Sequence, residues 1–283
     1  MPDPILIRSL DDPRVADYVD VTAPRARGAA SHFIAEGENV VLRLLASDYP
    51  CRSVLCVDRK VDRIRPHLRG DAALLVAEVR LLQAIVGFKF HSGVMAIGLP
   101  KPSPSLADLA AAPAALPDGR RMLVVLPEIT DPANLGAIVR VAAALGASGL
   151  LLGERCRDPF GRQSVRTSMG AIFNLPLRHS ADVRADLRSL QSEHGVECFA
   201  TVLADDAEPL SNTRPRGNSI AALFGNEGPG LKPDVAALCD RRVTIPMRRG
   251  TDSLNVVVAA GIVLHHLADA MPAHAQVGSP LPQ

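Results

Sequence analysis

The second half of the chain repeats one pattern. A short, continuously apolar run ends in a turn and a helical stretch follows. "RMLVVLP" (121–127) precedes "NLGAIVRVAAALGA" (134–147), which stops at Gly146, and "GLLLG" (149–153) comes next. "VECFATV" (196–202), "SIAALFG" (219–225) and "RRVTIPM" (241–247) extend the series, with helical stretches within 164–172 and around 183–193. Strands that do not alternate between apolar and polar residues are covered on both faces. Alternating strand and helix of this kind builds a mostly parallel sheet between two helical layers, the α/β class. "SLNVVVAAGIVLHHLADA" (253–270) closes the series. Its three valines favour a strand locally, but its length favours a helix, with Ser253 as the cap. That helix is apolar nearly all round, which implies burial and suits a contact with a second subunit.

Upstream, residues 1–100 read as a smaller α/β unit. "HFIAEG" enters a turn, and "ENVVLRLLAS" carries Val40, Val41, Leu44 and Leu45 on one helical stripe. "SVLCV" (53–57), "ALLVA" (73–77) and "GVMAIGL" (93–99) read as strands. Five prolines between 100 and 117 mark residues 101–119 as a linker with a short helix at Leu106–Ala111. The second domain is expected at 120–270 and a disordered tail at 271–283.

Composition narrows the function classes. Lys plus Arg total 31 and Asp plus Glu 30, so bulk charge announces no nucleic-acid partner. With no Trp, two Tyr and seven Phe, a stack of aromatic platforms for single strands is not expected. Local arginine groups remain: Arg25/Arg27, Arg120/Arg121, Arg155/Arg157/Arg162/Arg166, Arg241/Arg242 and Arg248/Arg249, each pair also readable as a solvated face. Five scattered cysteines without a C-x-x-C pair fit reduced thiols and a cytoplasmic location, and argue against zinc. The first residues hold no apolar signal core, and no apolar run is long enough to span a membrane.

Three stretches carry polar residues at strand ends, where α/β proteins place ligands. In "PEITDPANLGAIVR" (127–140), Asn134 and Arg140 are six apart and do not share a helical face. Asp131 or Asn134 also serves as a helix cap, with Arg140 then a surface residue. In "FGNEGPGL" (224–231), the glycines run G-x-x-G-x-G, the reverse of the dinucleotide fingerprint. The loop carries Glu227 where a phosphate would want positive charge. It is either an ordinary tight turn or a place where backbone groups approach a ligand. The third stretch, "IPMRRGTDSLNVVVAAGIVLHHL" (245–267), has Ser253 as a cap and Asn255 in the first turn.

In this order the three stretches resemble the three motifs of the SpoU-type, or TrmH-like, RNA 2′-O-ribose methyltransferases of the SPOUT superfamily. The carriers are N-x-G-x-x-x-R (Asn134, Gly136, Arg140), then "FGNEGPGL", then "IPM" followed by "SLNVVVAAGI". "SVRTSMGAIFNLPL" (164–177) and "FIAEGENVVLRLLAS" (33–47) are similar to that family as well. The likeness spans residues 31 to 268.

The resemblance implies a catalytic domain with a deep C-terminal trefoil knot, preceded by a small ribosomal-protein-like substrate-binding domain. It implies S-adenosylmethionine held by Gly225, Asn226, Gly230, Ile245, Met247 and Leu254, and a catalytic set of Asn134, Arg140, Glu227, Ser253 and Asn255. It also implies an RNA substrate, ribosomal rather than transfer RNA, and a homodimer formed through the knotted domain. Neither a membrane nor a metal is involved. Arg25, Arg27, Arg155, Arg162 and Arg166 are the expected RNA contacts. A non-catalytic knotted RNA-binding or ribosome-assembly factor, and a nucleotide-binding α/β enzyme using the glycine loop, are the rival expectations.

Overall fold

The computed structural model describes residues 3–19, 32–249 and 251–269. Arg25, Arg27 and the tail at 271–283 lie outside the described residues. By its contacts the chain divides into two units. One runs to Pro102 and includes Asp158–Asn174; the other comprises Ser103–Arg157 and the residues from Leu175 onward.

The first unit contains β1 (Ile5–Leu6), β2 (Phe33–Glu36), α1 (Glu38–Ala46), β3 (Cys51–Cys56), α2 (Val61–Ile64), β4 (Ala73–Val76), α3 (Val79–Val86) and β5 (Val94–Gly98). Its sheet has the order β1-β4-β3-β5-β2, with β5 antiparallel to both neighbours. Leu55, Leu75, Leu82, Ile85 and Met95 sit in one core cluster. The expected stripe of α1 (Val40, Val41, Leu44 and Leu45) is buried. The strand pattern does not show α3, because no capping side chain opens it; only Gly87 in the left-handed conformation marks its end.

The second unit begins with α4 (Leu106–Ala110), β6 (Arg121–Leu126), α5 (Pro132–Ala144) and β7 (Gly149–Leu152). The proline-rich stretch is partly structured: Ser105 and Asp108 form a reciprocal capping box, and Leu109 is fully buried in the core of this unit. After β7 the chain passes through Asp158–Asn174, with α6 (Arg162–Thr167), which packs with the first unit. There Phe160 and Phe173 join Phe33 and Tyr49 in one aromatic cluster with centroids 5.1 to 6.0 Å apart. The buried carboxylate of Glu36 receives Arg162 Nε at 2.8 Å.

The chain then returns through β8 (Leu177–His179), α7 (Val183–Ser192), β9 (Glu197–Thr201), β10 (Glu208–Pro209), β11 (Ser219–Leu223), α8 (Pro233–Ala236), β12 (Arg241–Thr244) and α9 (Val256–Asp269). The seven strands are all parallel, in the order β10-β12-β9-β11-β6-β7-β8. The expected parallel sheet is therefore present, and β6 is buried on both faces. From β6 the chain steps outward through β7 and β8, crosses to β9, and then inserts β11 into the gap beside β6. The carboxyl ends of β9, β11 and β6 thus meet where the strand order reverses, the position at which open α/β sheets bind ligands.

The closing helix is tied to the first strand of this unit. Arg120, 1% exposed, donates through Nη1 to Leu267 O at 3.0 Å and through Nη2 to Ala268 O at 2.7 Å, and its Nε meets Asp118 at 2.5 Å. It satisfies carbonyls that a helix C-terminus leaves unpaired. No helix among the described residues is long and apolar enough to cross a membrane.

Candidate active site

Three loops build the site. The first leaves β6 and starts α5. Asp131 is the cap, accepting from Ala133 N at 2.7 Å and Asn134 N at 2.8 Å, with Pro132 at the first helical position. Asn134 is therefore held in the first turn of α5.

The second loop follows β11, and its glycines serve the loop itself. A Cβ on Gly225 would lie 2.0 Å from Leu231 N and 2.1 Å from Gly230 C, so only glycine lets the chain fold back that closely. Asn226 and Gly230 exchange both backbone hydrogen bonds, each 3.1 Å, and Gly230 takes φ +71°. Asn226 Oδ1 also accepts from Gly228 N at 3.1 Å. The result is a short closed hairpin that presents Glu227 at its exposed tip. Behind it, Glu128 holds Lys232 at 2.7 Å and Arg155 at 3.2 Å, fixing the far end of the loop.

The third loop joins β12 to α9. The strand stops at Thr244, and residues 245–249 and 251–254 run outside regular structure. Ser253 does not cap the helix. Asn255 does: its Oδ1 accepts from Val257 N at 2.9 Å and its carbonyl from Ala259 N at 3.0 Å. Asn and Ser are comparable caps, so local preference does not choose between them. Leu254 is held in a cavity wall, and the next residue takes the capping position.

Side chains from the three loops meet. Asn134 Nδ2 donates to Glu227 Oε1 at 3.1 Å, and Asn255 Nδ2 reaches Asn134 Oδ1 at 3.5 Å. Asn226 Nδ2 approaches Thr130 Oγ1 at 3.4 Å. Arg140 is not part of this chain of contacts. Six residues further along α5, it is displaced about 9 Å along the axis and about 120° around it relative to Asn134. It is exposed, and no side-chain hydrogen bond or ion pair engages it among the described residues.

Beside the three loops lies a cavity of about 540 Å³, within the range that holds small-molecule ligands. Gly225, Asn226, Gly230, Ile245, Met247 and Leu254 all line it, together with Glu227 and Ser253. Asn134, Arg140 and Asn255 do not. The site thus has two parts, a largely apolar cavity and an exposed polar rim, joined at Glu227. Sequence reasoning missed Thr201–Ala204 at the end of β9, Phe224 and Arg242, which also line the walls. Only the adjacency of β9 and β12 to β11 brings them in.

The expected RNA contacts separate in the structure. Arg162 is committed within its own unit, to Glu36 and to the face of Phe88 at 4.5 Å. A buried carboxylate requires such a partner. Arg166 stands 3.8 Å from the same carboxylate and is 58% exposed, and Arg155 is 68% exposed beside Glu128. The latter two keep most of their donors toward solvent.

The model of the SpoU rRNA Methylase family matches residues 121–265. A Mycobacterium bovis protein named an uncharacterized tRNA/rRNA methyltransferase is 35% identical, covering 90% of this chain and 88% of its own length. The Bacillus subtilis 23S rRNA (guanosine(2553)-2′-O)-methyltransferase RlmP is 27% identical, covering 92% and 98%. Among solved structures, an rRNA methyltransferase from Sinorhizobium meliloti with bound AdoMet is 27% identical, with a TM-score of 0.78 over 93% of this chain and 97% of that one. The SpoU methyltransferase AviRb from Streptomyces viridochromogenes, in complex with AdoMet, is 25% identical, with a TM-score of 0.75 over 91% and 98%.

Proposed function

The chain belongs to the SpoU rRNA methylase family, and from that premise we propose that it methylates a ribose 2′-hydroxyl of structured RNA, ribosomal RNA in particular. The observation that carries this is the Asn134–Glu227 bond at the mouth of the cavity. It joins the polar residues suited to a ribose to the walls suited to a methyl donor. The relative from Bacillus subtilis, named for 2′-O methylation of 23S rRNA, supports the choice of atom and of RNA.

The cavity fits S-adenosylmethionine. Its walls are mostly apolar and backbone, which suits an adenosine, and its carboxylate at Glu227 suits a cationic sulfonium. When bound, this cofactor supplies an activated methyl group. Gly225, Asn226 and Gly230 would hold it through backbone groups, and Ile245, Met247 and Leu254 would enclose it. Ser253 borders the same cavity at the end of the third loop.

The remaining residues act on the RNA side. A 2′-hydroxyl must lose its proton as it attacks, so it needs alignment and stabilisation of the developing alkoxide. Arg140 brings a guanidinium fork whose geometry matches a phosphate. It clamps the phosphate beside the target nucleotide and polarises the hydroxyl. Glu227, held by Asn134, orients the ribose, and Asn255 fixes Asn134 from the other side. Arg155 offers a further phosphate contact.

The fold completes the proposal. The closing segment threads a deep trefoil knot; the contact of Asn255 with Asn134, and of Arg120 with the end of α9, fits such a closure. Knots are otherwise nearly absent from proteins. The first unit is a ribosomal-protein-like domain that binds the RNA substrate. A homodimer forms through α9, whose Val258 and Ile262 are 51% and 41% exposed. The decisive experiment maps 2′-O-methyl positions in total RNA from a deletion strain and its parent. One ribosomal position lost on deletion is the expected result; an unchanged map overturns the proposal.

A further inference from the structure

We propose that Arg242 anchors the α-carboxylate of the cofactor's methionine half, an assignment that rests on the S-adenosylmethionine proposal for the cavity. The cavity lining contains two charged side chains among the described residues, Glu227 and Arg242. S-adenosylmethionine carries a sulfonium, an α-ammonium and an α-carboxylate. Its two cationic groups are served by a carboxylate, whereas its one anionic group requires a cation. Arg242 is the lining residue able to supply one, and a guanidinium meets a carboxylate with two parallel hydrogen bonds.

The geometry prepares Arg242 for that exchange. Its Nη1 bonds Asp206 Oδ2 at 2.8 Å and its Nη2 bonds Asp206 Oδ1 at 3.2 Å. The side chain is thus already arranged around a carboxylate. The pair is exposed, 42% for Arg242 and 71% for Asp206, so an ion pair of this kind contributes little stability. Replacing Asp206 by a ligand carboxylate therefore costs little, and it leaves Asp206 as an acceptor beside the ligand's α-ammonium.

The neighbouring arginine has a different fate. Arg241 is paired with Glu208 and Glu197 and lies over the ring of Phe199 at 5.4 Å. Successive residues of a strand point to opposite faces. Of two adjacent arginines on β12, one is structural and the other borders the cavity. Arg242 pairs in register with Ala200 of β9, and the loop that follows β9 supplies both cavity wall and Asp206.

Calorimetric titration separates this role from general damage. The wild type, R242Q and R242K are titrated with S-adenosylmethionine and with its decarboxylated form, which keeps the sulfonium and amine but lacks the carboxylate. R242Q is expected to weaken S-adenosylmethionine binding about tenfold or more and to leave the decarboxylated form within about twofold. R242K, which keeps the charge but loses the fork, falls between. Equal weakening toward both ligands, or unchanged binding of S-adenosylmethionine by R242Q, overturns the assignment. A wild type that binds both ligands equally overturns it while leaving the cofactor proposal standing. A wild type that binds neither removes both.

Discussion

Asn134 and Glu227 stand 93 residues apart in the chain, and Asn134 Nδ2 donates to Glu227 Oε1 at 3.1 Å. One residue belongs to the first turn of a helix after β6, the other to the tip of a glycine hairpin after β11. Their bond joins the cavity to the polar rim. Asn134 does not line the cavity, so its loss is expected to act on turnover rather than on cofactor affinity. Asn134→Ala should lower kcat about a hundredfold while the Kd for S-adenosylmethionine stays within about twofold. Single-turnover methyl transfer with calorimetry measures both.

Arg140 supplies a second, independent test. It is exposed and makes no side-chain hydrogen bond or ion pair among the described residues, so Arg140→Ala should leave stability within about 0.5 kcal/mol. Turnover should fall by about three orders of magnitude, with cofactor binding preserved. Arg140→Lys should remain strongly impaired, because an ammonium does not reproduce a bidentate grip on phosphate. Near-normal activity in the lysine variant would refute the clamp.

Gly225 is a packing constraint. A Cβ there meets backbone at 2.0 Å, which no side-chain rotation relieves. Gly225→Ala should cost about 2 kcal/mol or more and distort the hairpin that carries Glu227. Loss of cofactor binding together with a lowered Tm is the expected outcome. An alanine variant with an unchanged melting curve would show that the hairpin relaxes freely.

Arg120 closes the far end of α9, and Arg120→Met should destabilise the protein by about 3 kcal/mol in urea unfolding. The carbonyls of Leu267 and Ala268 lose their donors, and Asp118 loses its cation. Burial by itself raises the Asp118 pKa. Hydrogen bonds from the Arg120 side chain and backbone outweigh that and hold it below the ordinary value. A carboxylate with a depressed folded pKa contributes stability above its unfolded pKa, and that contribution fades as pH falls through the folded one. The stability gap between the wild type and the Met variant should therefore narrow in acid, leaving the part due to the Leu267 and Ala268 carbonyls.

The thiols should be inert at neutral pH. Burial pushes Cys51, Cys56 and Cys239 up to about 12, and raises Cys198 further. A thiol with a raised pKa stays protonated, and the thiolate is the reactive form. Iodoacetamide at pH 8 should modify these four slowly in the native protein and rapidly in denaturant.

Much of the site was legible because its residues cluster in three short stretches. Asn134, Glu227 and Asn255 were legible by type and order, and all six expected cavity residues converge on one cavity. The glycines were left open between a tight turn and a ligand approach. At Gly225 the structure shows the tight turn, since a Cβ there would meet the loop's own backbone. The capping residue was placed two positions early, since Ser253 and Asn255 are equivalent by local preference. Arg162 looked like a phosphate contact, because a sequence does not display the buried Glu36 that engages it.

By itself the sequence determined the α/β class, the helical closing segment and the residue types available for chemistry. These follow from local periodicity and from side-chain chemistry, which need no knowledge of neighbours. Tertiary structure alone decided that β11 enters between β9 and β6, that Asp158–Asn174 packs with the first unit, and that Arg242 borders the cavity while Arg241 does not. Those outcomes depend on pairings between residues far apart in the chain, where long-range burial and register, rather than local preference, select the partner.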